Sequence, residues 1–170
     1  MKKGLLAVLM VALVPIQTTV LEHVSIGGIR PDLCLIVVCL VGVMFGEGHG
    51  MFLGLALGFV QDLFSADELW LNMVAKGMIG FLAGFVGRHL ANATPGAMLT
   101  LILTLSFLSG LVLLVVERAG TGLLDVLLGV RLLVLPQAAF DAAVGTGVYW
   151  LVAGRTRRAD VLSGRRISLR

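Results

Sequence analysis

Six apolar runs, separated by short polar stretches, constrain this sequence more than any other feature. They cover roughly Gly4–Leu21, Asp32–Gly46, Gly50–Phe64, Leu69–Gly87, Ala97–Val116 and Leu133–Ala153. About 20 apolar residues in a helix cross a bilayer, and several of these runs approach that length. Composition agrees: 58% of the 170 residues are hydrophobic, 14% are charged, and mean hydropathy is +1.03. An ordinary soluble domain is far less apolar. The expected fold is an all-α integral membrane protein, a six-transmembrane-helix bundle over residues 1–154, with a basic cytoplasmic tail over 155–170. No segment is long and polar enough for a separate soluble domain. The second and third runs are short and joined by "GEGHG"; the alternative count is five spans plus a re-entrant hairpin made of those two.

The start, "MKKGLLAVLMVALVPIQTTVL", resembles a signal peptide but lacks a small-x-small cleavage site after its apolar run. It reads as a retained first span. Lys2, Lys3, Arg88 and the tail arginines Arg155, Arg157, Arg158, Arg165, Arg166 and Arg170 fall on one side of a six-span bundle. By the positive-inside rule that side is cytoplasmic, so both termini are expected there, in a multi-pass protein. "ERAGTGLLDVLLGVRLLVLP" has Leu and Val at helical spacing around Asp125 and Arg131, the pattern of an amphipathic helix lying along the outer interface. The tail has no interleaved aromatics and follows a span directly. Anionic membrane lipid is therefore its expected partner, and nucleic acid is not.

Little here suggests chemistry. Cys34 and Cys39 are five apart in one apolar run and read as small packing residues. His23, His49 and His89 lie in or beside loops on both sides of the membrane, so they cannot form one metal site. Ser106 and Ser109 have no level histidine, and no Gly-x-Ser-x-Gly occurs. No catalytic, cofactor or metal residues are expected.

Small residues carry the packing. Gly50, Gly54 and Gly58 are four apart, and Asp62 continues their ridge. Asn72, Lys76, Gly80, Ala83 and Gly87 share a stripe on the next run, which also holds Gly84. Gln137, Asp141, Gly145 and Tyr149 repeat the spacing on the last. Small-xxx-small faces let membrane helices approach closely, so these three spans are expected to pack through glycine faces. The polar side chains stand on the same faces near one end. At 1.5 Å per residue, Lys76 and Asp141 lie about 10–12 Å below the outer boundary, with Asp62 within a snorkelling lysine's reach. Gln61, Asn72 and Gln137 share that layer. An unpaired charge there costs roughly 2.5–3.5 kcal/mol or more. Lys76 is therefore expected to pair with Asp141, with Asp62 next in line, as a structural staple.

In order along the chain, Pro31-Asp32-Leu33, Asp62-Leu63, Ser65, Leu71-Asn72 and Gly80-Phe81-Leu82-Ala83-Gly84, then the ending from Pro136 through Tyr149 to the basic tail, resemble the rod shape-determining protein MreD family. The family commonly has Gly-Gly-Pro-Leu-Gly where this chain has Ala66, Asp67, Glu68, Leu69 and Trp70, and often Asn where it has Asp141. The resemblance implies a non-catalytic inner-membrane component of the bacterial cell elongation (rod) complex. Such a component binds MreC, and through it couples MreB to the RodA–PBP2 peptidoglycan synthase; a second copy of the chain is a further candidate partner. The resemblance also implies a fold similar to the substrate-binding subunits of energy-coupling-factor transporters. A vitamin-capture subunit is thus the alternative function. It would need a roomy outer pocket with aromatic walls, whereas aromatics are 6% of this chain. It would also favour an Ala-xxx-Ala docking face, whereas Ala7 and Ala12 are five apart.

Overall fold

The computed structural model describes residues 30–64, 70–89, 94–120 and 122–162, with side chains through 152. The expected first span and the end of the tail lie outside them. The described chain is helical: α1 (Leu33–Phe45), α2 (Glu47–Phe64), α3 (Leu71–His89), α4 (Pro95–Glu117), α5 (Leu123–Gly129), a π-helical segment (Val130–Val134) and α6 (Leu135–Leu162).

Local chemistry sets the ends. Asp32 caps α1, its carboxylate accepting the Leu35 N–H at 3.0 Å; Thr94 caps α4 in the same way, at 3.2 Å from the Ala97 nitrogen, with Pro95 in the first turn. Both satisfy a backbone donor that the helix leaves open. Gly46 alone separates α1 from α2, with φ at +93°, a backbone conformation that glycine adopts without steric cost. The "GEGHG" connection is thus tighter than expected, because Glu47, Gly48, His49 and Gly50 already form the first turn of α2.

One expectation is corrected. No turn separates the anticipated interfacial helix from the last span: α5, the π segment and α6 run on as one helix from Leu123. Gly129 keeps a helical backbone there. Pro136 offers no N–H to its i−4 carbonyl, and its ring crowds that carbonyl in a regular helix. The π segment lies just before it, where Leu135 N–H donates to the Val130 carbonyl five residues back. The wider turn accommodates the proline without breaking the helix. At its other end α6 continues through Leu162, carrying helix into the basic tail.

Among the described residues two helices are long and apolar enough to cross a membrane, Pro95–Glu117 and Leu123–Val152. At 13 residues α1 is short, about 20 Å, and it sits innermost. It contacts α2, α3, α4 and α6, while α2 packs against α3 and α4 lies along α6. Leu35, Ile36 and Cys39 of α1 meet Ile79 and Ala83 of α3, Met98 and Ile102 of α4, and Ala142 of α6 in the main core. Cys34, Val38 and Leu57 form a smaller one between α1 and α2.

Candidate functional site

α2 and α3 meet backbone to backbone. A Cβ on Gly54 would stand 2.1 Å from the Lys76 carbonyl oxygen, one on Gly58 2.4 Å from that of Asn72, and one on Gly50 2.3 Å from that of Gly80. Gly80 returns the contact against the Gly50 carbonyl at 2.0 Å; Gly84 lies against Glu47, and Gly87 against Val43 of α1. Any side chain at Gly50, Gly54, Gly58 or Gly80 would collide with main chain that cannot step aside. Gly145 differs: its neighbours are the Ile102 and Ile36 side chains. The last helix therefore receives isoleucines in a notch instead of packing its backbone against another.

At the end of the bundle where α1 begins, polar side chains from five helices connect. Asp62, at the end of α2, is 2% exposed and spends its carboxylate on the start of α3. It accepts the N–H groups of Trp70 (3.1 Å), Asn72 (3.2 Å) and Met73 (2.9 Å). A carboxylate at a helix N-terminus is compensated by those donors and by the helix dipole. The cap also holds Trp70, whose φ of +95° is a left-handed backbone on a bulky residue.

One turn into α3, Lys76 is 1% exposed, with its ammonium 2.8 Å from Asp32 Oδ2 and 3.3 Å from the Asn72 side-chain oxygen. Asp32 extends the chain through its main chain, its N–H donating to Asp141 Oδ1 at 2.8 Å. Asp141, fully buried on α6, also accepts the Ser106 hydroxyl of α4 on Oδ2 at 2.5 Å. The series Asn72–Lys76–Asp32–Asp141–Ser106 crosses α3, α1, α6 and α4, and the Asp62 cap adds α2.

This corrects the expected pairing. The carboxylate in ion-pair contact with Lys76 belongs to Asp32, and the hydrogen-bonded link from Lys76 to Asp141 runs through Asp32. Asp62 is taken up by the α3 cap. Of the other expected members, Asn72 joins the network and Gln137 lines a cavity beside it. The Gln61 side-chain oxygen is buried with no hydrogen-bond partner among the described residues. Sequence reasoning placed Asp32 only in a family motif and weighed Ser106 only as a nucleophile. The signal for Asp32 was available, because an acid opening an apolar run on the side expected to be outer lies in the same expected layer as Lys76. At the opposite end of the bundle Glu47 and Arg88 form an ion pair between α2 and α3. Among the described residues no group of three or more His, Cys, Asp and Glu is placed to hold a metal ion.

Compared with known families, residues 2–152 match the model of the rod shape-determining protein MreD. The chain belongs to the MreD family. It is therefore a cell-shape protein with membrane-type helices, in a family of shape-determining components. The match includes the Pro31-Asp32-Leu33 motif and every residue of the polar network. No curated protein and no solved structure is similar enough to match.

Proposed function

We propose that the chain is a non-catalytic scaffold of the cell elongation machinery in the bacterial inner membrane. In this reading it is a six-span bundle with both termini in the cytoplasm. It binds MreC and through it couples MreB to the peptidoglycan synthases, while its basic tail rests on anionic lipid. One observation carries the reading beyond family membership: the buried ionisable groups at the Asp32 end are all engaged inside the bundle. Asp62, Lys76, Asp32 and Asp141 each have partners inside the bundle. The cavity left beside them is about 190 Å³, and the described residues lining it include no aromatic. A pocket for a vitamin-sized ligand needs roughly 300–1,000 Å³, so the size argues against the vitamin-capture alternative.

Co-purification tests this. The tagged chain, extracted in mild detergent from rod-shaped cells, is expected to bring down MreC, and its depletion is expected to round the cells without impairing vitamin uptake. Normal rods on depletion, with a vitamin-uptake defect, would refute the scaffold reading.

A further inference from the structure

The cavity beside the network has a lining that the staple does not explain. It lies between the start of α1, the outer half of α4 and the first turn of α6. Its polar lining is Asp32, Ser106, Ser109, Glu117 and Gln137. Ser109 is 4% exposed, and its hydroxyl makes no hydrogen bond to any described residue. On the same helix the Thr104 hydroxyl does bond back, to the Thr100 carbonyl at 2.8 Å. Gln137 lies three residues beyond the end of the π segment, whose Val134 also lines the cavity. Such segments inside helices often mark places where side chains are re-aimed for a site. Glu117, the last residue of α4, is exposed.

We propose that this cavity receives an organic cation: the guanidinium or ammonium head group of an arginine or lysine on a partner polypeptide. The lining offers acceptors, namely carboxylates, hydroxyls and an amide oxygen, which a guanidinium's five donors or an ammonium's three can use. Charge points the same way: two carboxylates, Asp32 and Glu117, are part of the lining, and no lysine or arginine is among the described residues that line it. The volume admits a head group and not a whole ligand. A bare metal ion fits poorly, since no metal-type cluster exists among the described residues. The cation site stands apart from the proposed scaffold role; only the assignment of its source to a partner protein rests on that role.

The probe is N-ethylguanidinium, titrated onto the detergent-purified full chain and followed by ligand-observed NMR, with neutral N-ethylurea as the shape control. Saturable binding of the cation and none of the urea is expected. Glu117→Gln should weaken it about three- to fivefold, the range for one exposed charge contact. Ser109→Leu, which fills the cavity, should abolish it in protein that remains helical and monodisperse. Glu47→Gln, at the opposite end, should leave it unchanged. Absence of saturable binding, equal binding of the urea, or binding indifferent to Glu117→Gln would overturn the site, while the co-purification result would stand or fall separately. In the co-purified complex the probe should be excluded; undiminished binding there would assign the cavity to a free amine and overturn the partner assignment.

Discussion

Asp32 shows how much one side chain carries in this bundle. Oδ1 caps α1, Oδ2 holds the Lys76 ammonium, and its N–H supplies a donor to the buried Asp141 carboxylate. Depth arithmetic from the sequence put Lys76 and Asp141 at one level, and both belong to the same network. What it lacked was the rotation of each helix about its axis, which decides that Asp32 of the central α1 stands between them. Asp62 is a second case where the layer was legible and the partner was not. Its ridge position was read as a route to Lys76, but three N–H groups at the start of α3 reach it first. Replacing it with Ala leaves those donors open in a buried place. Asp62→Ala is therefore expected to cost about 2–3 kcal/mol, measured by thermal unfolding in detergent; a loss below 0.5 kcal/mol, roughly the noise of such a comparison, would mean the cap is replaced by solvent. Trp70 lies in the left-handed region, where glycine alone is unstrained. Relief of about 1–2 kcal/mol of steric cost, offset by glycine's backbone entropy, predicts that Trp70→Gly gains about 0.5–1 kcal/mol. Destabilisation by the same substitution would show that the ring's contacts outweigh the strain.

Among the elements, the α2–α3 pair was the most readable, because glycines at four-residue spacing have few other uses. The structure adds which backbone each one meets. Gly54→Leu would force a side chain into the Lys76 carbonyl and separate the helices. The expected result is loss of most folded protein in size-exclusion profiles, while Phe52→Leu, on an exposed position of the same helix, is tolerated. Equal yields for the two variants would contradict the interface. The last helix was read less well. Its glycine stripe suggested a third backbone contact, but Gly145 accepts isoleucine side chains. Spacing alone does not reveal whether the opposing surface is backbone or side chain. The interfacial helix expected before this span also runs into it without a break. Proline usually ends a helix, yet one π turn absorbs Pro136, and nothing local in the sequence marks that outcome.

On the scale of the whole molecule, two ion pairs among the described residues sit at the two ends of the bundle with an apolar core between them. Glu47–Arg88 lies at one end and Lys76–Asp32 at the other. The charge asymmetry along the chain predicts that topology reporters fused after Arg170 and near Asp67 read opposite sides of the membrane, with the Arg170 fusion inside. Matching signals from both would rule out the three crossings expected between Asp67 and the tail. The central claim is that one buried network couples the described helices into a single unit, and a double-mutant cycle on Lys76 and Asp32 tests it most directly. Asp32→Asn removes the charge while keeping an N-cap side chain, and Lys76→Met removes the ammonium while keeping the stem. Breaking one partner of a buried pair typically costs about 3–5 kcal/mol because the other charge is left uncompensated. In thermal unfolding of the detergent-solubilised chain, Lys76→Met alone should fall in that range, and adding Asp32→Asn should recover part of the loss, giving a coupling of about 1–3 kcal/mol. Strictly additive losses in the double variant would contradict a direct Lys76–Asp32 contact and, with it, the network as the element that holds the bundle together.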